Sequence, residues 1–151
     1  MLLKDYIPSV SKSQSKIFIS GISFDSTKVK KNNIFFAIKG NKFDGNNYIE
    51  EAIKKGARVI VSEKKFNLKN TKVIFLYTSN TRKLLSQVSY KILKQKPKKI
   101  VAITGTNGKS SIADFYYQIL NLNSKKVASI GTIGIKHKDK KKSLINTTSD
   151  P

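Results

Sequence analysis

The 151-residue chain contains no cysteine and a single histidine, His137, which lies among lysines. Without cysteine the chain forms no disulfide and no thiolate metal site, a composition typical of cytosolic proteins. A run of about 18 apolar residues, which a membrane-spanning helix needs, is also absent. The N-terminus lacks the apolar segment of a secretory signal. We therefore expect a cytoplasmic protein with no membrane partner, in which His137 is a surface residue.

Acidic residues and arginine are also scarce. The chain has 30 Lys and Arg residues against 9 Asp and Glu, which gives a net charge of +21, and Arg58 and Arg82 are its only arginines. A strongly basic protein can bind nucleic acid. The lysines are nevertheless spread over nearly every segment, and arginine is the residue that best makes bidentate contacts with phosphates and bases. We expect no specific nucleic-acid partner, and a basic nucleic-acid-binding module is the alternative from another functional class.

Apolar and amphipathic segments alternate along the chain, which predicts an α/β protein. Strands are predicted at 17–22, 34–38, 58–61, 73–77, 99–103 and 126–130, and helices at 46–55, 80–95 and 109–122. Gly56 stands where the first of these helices would end. The segment 133–145 predicts a hairpin that carries a lysine run at its tip. In the last helix, the residues expected to be buried are Ile112, Tyr116, Ile119 and Leu120.

Polar residues around Pro97, at 94–98, predict a linker between two domains. We place the first domain at 1–97 and the second at 98–151. The second domain has one strand, one helix and one strand before its hairpin, which cannot cover both faces of a parallel sheet. We therefore expect the chain to be the N-terminal part of a longer protein.

The most informative segment, 99–111, reads Lys-Ile-Val-Ala-Ile-Thr-Gly-Thr-Asn-Gly-Lys-Ser-Ser. An apolar strand, a glycine-rich turn and a helix follow one another in a phosphate-binding P-loop. The glycines let backbone N–H groups approach an anion, and the helix N-terminus adds partial positive charge. Lys109 would reach the β- and γ-phosphates as the catalytic cation, and the Ser110 hydroxyl would be a ligand of Mg²⁺. The segment predicts a nucleoside triphosphate site.

An ordinary glycine-rich turn between a strand and a helix is the alternative interpretation of this segment. Ile103 occupies the position of the first glycine in the longer P-loop pattern. P-loop enzymes also use an acidic residue to hold Mg²⁺, often at the end of a neighbouring strand. The apolar segment 127–130 instead ends in Gly131 and Thr132.

Three patches together resemble the Mur ligases, the ATP-dependent ligases that extend the peptidoglycan stem peptide. The first comprises 25–29, 33–40 and 44–45, the second is 104–110, and the third comprises 130–134 and 146–151. The third is similar to the tripeptide synthetase (MurE) branch. That branch adds a diamino acid, meso-diaminopimelate or L-lysine, to UDP-N-acetylmuramoyl-L-alanyl-D-glutamate. The resemblance covers about 17–151.

The resemblance implies a small N-terminal α/β substrate-binding domain followed by the start of a P-loop parallel-sheet ATPase domain. It implies ATP and Mg²⁺ as cofactors, the UDP-muramoyl dipeptide and a diamino acid as partners, and a monomeric chain. The implied ATP-binding residues are Gly105, Thr106, Asn107, Gly108, Lys109, Ser110 and Ser111. The implied substrate-binding residues are Phe24, Ser26, Asn41, Lys42, Phe43, Asn146, Thr147 and Thr148.

In such ligases the substrate carboxylate attacks the γ-phosphate of ATP, and an amine then displaces phosphate from the acyl phosphate. Lys109 and Mg²⁺ at Ser110 would stabilise the charge on the transferring group. The alternatives within this class are another Mur ligase or a folylpolyglutamate-type ligase, which share the Gly-Thr-Asn-Gly-Lys loop. We expect the chain alone to lack ligase activity, and phosphate release from ATP in the presence of both substrates would contradict this.

Overall fold

The computed structural model describes residues 1–41, 43–66, 72–138 and 140–142. Lys42, Asn146, Thr147 and Thr148, which the sequence predicts to bind substrate, lie outside the described residues. The chain divides into two compact units, Met1–Lys96 and Pro97–Pro151. Among the described residues, no helix is both long and apolar enough to cross a bilayer.

The first unit is built on a sheet of four parallel strands in the order β1-β2-β3-β4. The strands are β1 (Gly21–Ser23), β2 (Asn33–Phe36), β3 (Val59–Ser62) and β4 (Ile74–Tyr77). Their carboxyl ends meet at one edge, since Ser23 pairs with Phe35, Phe36 with Val61, and Ser62 with Tyr77. This parallel sheet confirms the predicted α/β class.

Helices cover both faces of the sheet. They are α1 (Leu3–Tyr6), α2 (Ile49–Lys54) and α3 (Thr81–Ile92). Because successive side chains of a strand point to opposite faces, Phe36 and Val61 share one core with Leu3 and Val88. Phe35 and Ile60 belong to the other core, with Ile49, Ala52 and neighbouring apolar residues. Strands that are covered on both faces have nearly continuous apolar sequences.

Local hydrogen bonds set the element boundaries. Helix α3 begins at Thr81 because the side chain of Asn80 accepts a hydrogen bond from the N–H of Lys83, at 2.8 Å. Gly56 follows α2 with φ of +102°, a left-handed conformation that favours glycine. The predicted helix 46–55 divides into a 3-10 turn (Gly45–Tyr48) and α2. The side chain of Asp44 caps that turn by accepting the N–H of Asn46.

The predicted strand 17–22 is mostly wrong, since β1 covers only its last two residues and Ser23. The residues before it pair instead with the N-terminus: the N–H of Leu3 donates to the carbonyl of Ile17 at 2.8 Å, and the N–H of Ile19 donates to the carbonyl of Met1 at 2.9 Å. The short helix α1, which the sequence analysis did not predict, follows this pairing.

The second unit contains helix α4 (Lys109–Leu122) and a three-stranded antiparallel sheet. The sheet order is β5 (Ala128–Gly131), β6 (Gly134–His137) and β7 (Lys140–Lys142). The bounds of α4 agree with the prediction. The predicted hairpin is confirmed over β6 and β7, and its remaining residues, 143–145, lie outside the described part of the chain.

Two predictions for the second unit are wrong. The segment 99–103 forms no strand, because none of the described strands pairs with it; Ile100 is 77% exposed. The expected buried face of α4 is also largely exposed, at 55% for Ile112, 45% for Tyr116 and 59% for Ile119. The helix buries Tyr117 instead, while Leu120 is half-buried. A helix buries an apolar face only where another element packs on it.

Candidate functional site

The glycine-rich loop of the second unit has a backbone conformation that requires glycine at two positions. Gly105 has φ of +143° and Gly108 has φ of +74°, both in a region that side chains rarely tolerate. A Cβ atom at Gly108 would meet nothing within 4 Å, so the requirement for glycine there comes from the backbone and not from space. Gly108 is the N-cap of α4, and its carbonyl accepts the N–H of Ile112 at 2.9 Å.

Lys109 places its ammonium group over this loop. Its Nζ donates to the carbonyl oxygens of Gly105 and of Thr106, the latter at 2.9 Å. Thr106, Asn107, Ser110 and Ser111 are all exposed around the same helix N-terminus. A cation, free N–H groups of the first helical turn and the positive end of the helix dipole together favour an anion. The arrangement suits a phosphate group.

Beside the loop lies an open cleft of about 420 Å³. Lys109 and Ser110 line it together with Ala113, Tyr117 and Ile130. A second cavity of about 20 Å³, enough for about one water molecule, adjoins Ser110 and is lined by Asp114 and Lys136. An ion pair between these last two side chains joins α4 to β6, and it was not predicted from the sequence.

The first unit presents a separate group of polar residues at the carboxyl edge of its sheet. Ser26, in a 3-10 turn (Ser26–Lys28) just after β1, is 8% exposed, and its hydroxyl donates to Oε2 of Glu51 at 2.8 Å. Lys55 also donates to Glu51, and these two bonds lower the pKa of the Glu51 carboxyl, with Lys55 the larger cause. Glu51 was not identified from the sequence as the partner of Ser26. Phe24, next to β1, is half-buried against the core.

The turn 39–44, after β2, is closed by hydrogen bonds. The N–H of Gly40 donates to the carbonyl of Phe43, and the N–H of Gly45 donates to the carbonyl of Ile38, both at 2.8 Å. A Cβ atom at Gly45 would lie 2.7 Å from two backbone atoms of Ile38, so this position accepts only glycine. Asn41 and Phe43 are exposed in this turn, Phe43 at 69%.

Asp44 is the last residue of the turn, and three hydrogen bonds stabilise its ionised carboxylate. Its Oδ1 accepts the backbone N–H of Asn46 at 2.9 Å and the side-chain amide of Asn46 at 2.5 Å, and its Oδ2 accepts from Lys64 at 3.0 Å. These bonds lower the pKa of Asp44 to about 2, the backbone N–H of Asn46 being the largest cause. The structure thus brings Phe24, Ser26 and the turn with Asn41 and Phe43 to one sheet edge. Parallel sheets commonly bind ligands at that edge.

Two protein-family models match the chain. Residues 18–103 match the model of the Mur ligase family, catalytic domain, and residues 103–151 match that of the Mur ligase middle domain. A UDP-N-acetylmuramoyl-L-alanyl-D-glutamate--2,6-diaminopimelate ligase from Rickettsia conorii is 42% identical over 118 residues, which are 78% of this chain and 24% of the relative.

Solved structures show the same fold. The structure of a UDP-N-acetylmuramoyl-L-alanyl-D-glutamate--2,6-diaminopimelate ligase matches 99% of this chain and 31% of its own length, with a TM-score of 0.78 and 24% identity. A MurF ligase from Thermotoga maritima in complex with ADP matches 70% of this chain and 23% of its own, with a TM-score of 0.53 and 26% identity. This chain spans about a quarter of the curated Rickettsia relative, and it belongs to the Mur ligase family.

Proposed function

We propose that the chain carries the nucleotide-binding and UDP-substrate-binding parts of a cytoplasmic peptidoglycan-precursor ligase. The reaction would join a diamino acid, meso-diaminopimelate or L-lysine, to UDP-N-acetylmuramoyl-L-alanyl-D-glutamate. The observation that carries this proposal is the loop 105–108, which has two glycines of positive φ and whose Gly105 and Thr106 carbonyls accept hydrogen bonds from the Lys109 ammonium. The name of the Rickettsia relative, at 42% identity, supports the substrate and the added group.

We assign ATP to the glycine-rich loop and the cleft beside it. Gly105, Thr106, Asn107, Gly108, Lys109, Ser110 and Ser111 form the loop and the first turn of α4. The MurF structure in complex with ADP supports a nucleotide as the ligand. The exposed Ser110 hydroxyl, next to Lys109 at the helix N-terminus, fits the oxygen ligand that Mg²⁺ prefers. When bound, Mg²⁺ would neutralise phosphate charge.

The residues of the loop would act on the phosphoryl group by charge and position. Lys109 would hold the transferring phosphoryl group while the substrate carboxylate attacks it, and the N–H groups of the helix N-terminus would bind its oxygens. The resulting acyl phosphate loses phosphate when the amine of the diamino acid attacks. Phosphoryl transfer depends mostly on such positioning, so this half-reaction requires no acid–base pair from the loop.

The UDP end of the substrate would bind at the carboxyl edge of the parallel sheet. Phe24, Ser26, Asn41 and Phe43 lie there, and Lys42 belongs to the same turn by sequence. Asn146, Thr147 and Thr148 remain proposed contacts to the muramoyl peptide on the basis of the sequence. We propose a monomer that acts without nucleic acid or membrane partners.

Replacing Lys109 by methionine tests the nucleotide site. We expect K109M to weaken ATP binding at least about tenfold, because a charge-assisted contact to phosphate is lost. Lys125→Met, an exposed lysine just after α4, removes the same charge and serves as the control. Binding is measured by isothermal titration calorimetry with Mg²⁺ and ATP. Equal losses in both variants, or salt-dependent binding to arbitrary DNA with no saturable nucleotide site, would contradict the proposal.

A further inference from the structure

Three consecutive residues at the carboxyl end of β3 each bond a different residue near the carboxyl edge of the parallel sheet. We call Ser62, Glu63 and Lys64 the bracket. Ser62 is the last residue of the strand, and the other two follow it immediately. Polar residues at this end of a parallel strand lie where such sheets bind ligands. Their partners are Asn46 in the 3-10 turn, Asp44 at the end of the turn 39–44, and Thr81 at the start of α3.

Ser62 makes the buried contact of the bracket. Its side chain is 2% exposed, and its hydroxyl donates to Oδ1 of Asn46 at 2.6 Å. The same hydroxyl accepts the backbone N–H of Lys64 at 2.9 Å. Asn46 in turn donates its side-chain amide to Asp44. Because a buried amide oxygen is costly to leave unpaired, the Ser62 hydroxyl fixes the orientation of Asn46 and, through it, of Asp44.

Lys64 fixes the same carboxylate from outside. Its ammonium donates to Oδ2 of Asp44 at 3.0 Å, while Oδ1 accepts from Asn46. Both oxygens of Asp44 are thereby held by groups that depend on β3. One side of the turn 39–44 is tied to the central sheet.

Glu63 ties the other side of the turn through α3. Its Oε1 accepts the backbone N–H of Thr81, the first residue of that helix, at 2.8 Å. The next residue, Arg82, donates from Nη2 to the carbonyl of Lys39 at 3.2 Å. Glu63 therefore sets the position of the helix end that carries Arg82, and Arg82 holds the first residue of the turn.

We propose that Ser62, Glu63 and Lys64 are positioning residues that hold the turn 39–44 in its substrate-binding shape. Between the tied residues Lys39 and Asp44, the turn exposes Asn41 and Phe43. A turn ordered before binding loses less conformational freedom when it binds, which raises affinity. The inference rests on the proposed function, in which this turn binds the UDP end of the substrate.

The first measurement needs no ligand. Amide hydrogen exchange at Gly40 and Gly45 reports the two hydrogen bonds that close the turn. We expect Ser62→Ala and Lys64→Met to speed exchange at these amides about fivefold or more, since each removes a bond worth about 1 kcal/mol, while the amides of Val59 and Ile60 stay unchanged. Ser86→Ala and Lys54→Met, on exposed positions of α3 and α2, are the matched controls. Lys64→Arg should restore slow exchange because it keeps a cation for Asp44.

The second measurement is calorimetric binding of UDP-N-acetylmuramoyl-L-alanyl-D-glutamate. We expect about fivefold weaker binding for the two bracket variants and for Glu63→Ala, and unchanged binding for the controls and for K64R. Unchanged exchange at Gly40 and Gly45, or equally faster exchange at Val59 and Ile60, would overturn the positioning role. A wild-type chain that fails to bind this substrate would instead overturn the proposed function, and the exchange result would still decide the role of the bracket.

Discussion

The two units of the chain differ in how completely they bury their apolar side chains. In the first unit, strands β2 and β3 are buried on both faces, with Phe35, Phe36 and Ile60 at most 1% exposed. In the second unit, Tyr117 is the only buried apolar side chain among the described residues, and Phe115, Ile119 and Leu122 are exposed by 59% or more. Both units nevertheless present an ordered site.

The difference shows what each site depends on. The glycine-rich loop is set by short-range contacts, since Lys109 bonds carbonyls three and four residues before it. The group of polar residues at the carboxyl edge of the parallel sheet is assembled from residues far apart in sequence, such as Ser26 with Glu51 and Asn46 with Ser62. Damage to the sheet of the first unit should therefore destroy its site, whereas the loop should tolerate loss of apolar contacts on α4.

We expect the largest difference in the loss of unfolding free energy between Phe36→Ala and Phe115→Ala. Phe36 is fully buried, so its truncation should cost the first unit about 3–5 kcal/mol of unfolding free energy. Phe115 is 62% exposed, and its truncation should change the second unit by less than about 1 kcal/mol. Urea unfolding followed by amide signals of each unit measures both. Equal losses in the two variants would contradict the comparison.

Gly45→Ala and Gly131→Ala compare how well the backbone of each unit tolerates an added Cβ atom. A Cβ at Gly45 would stand 2.7 Å from backbone atoms of Ile38, so we expect a loss of about 1–3 kcal/mol in the first unit. A Cβ at Gly131 would meet nothing within 4 Å, and we expect a change within about 0.5 kcal/mol. Both are measured by thermal unfolding. A harmless G45A variant would show that the turn 39–44 can shift.

Acid should act on the first unit through Asp44, and this is the smallest expected effect. The pKa of Asp44 in the folded protein, about 2, lies below its ordinary value of 3.8. The stabilisation is therefore fully present above about pH 4 and is lost as the pH falls towards 2. Hydrogen bonds also lower the pKa of Asp25, with the Thr27 hydroxyl as the largest cause.

Urea midpoints of the first unit between pH 6 and pH 2 check this dependence. Asp44→Asn should be less stable than the wild type at pH 6, and the difference should shrink as the pH falls through 4. Glu50→Gln, at an exposed position of α2 in the same unit, is the control for charge. A difference between D44N and wild type that stays constant down to pH 2 would contradict the assigned pairing of Asp44.

Local patterns in the sequence predicted much of the structure. The bounds of α4 and the end of α2 before Gly56 depend on neighbouring residues, and each follows from residue type. The helix predicted from residue 80 begins at Thr81, with Asn80 as its cap. The failures involve distant partners. Residues 17–19 pair with the N-terminus, and 99–103 has no described strand beside it, which periodicity alone does not reveal.

The two candidate sites differ in the same respect. The glycine-rich loop could be located from the sequence because its chemistry lies within seven residues, Gly105 to Ser111. The hydrogen-bond partners at the carboxyl edge of the parallel sheet could not be located in this way, because Glu51 and the bracket approach that edge only in the folded chain. One signal was present: Ser62, Glu63 and Lys64 are polar residues directly after the strand predicted at 58–61.

The most direct test of the account follows amide signals of the whole chain while two ligands are added in turn. UDP-N-acetylmuramoyl-L-alanyl-D-glutamate should produce saturable shifts at residues 24–26 and 40–46, and ATP with Mg²⁺ should produce them at 105–111. On this account both sets appear, the UDP substrate also shifts residues 146–148, and ATP leaves 24–26 and 40–46 unchanged. Absence of saturable shifts for either ligand, or shifts from the UDP substrate confined to 105–111, would contradict it.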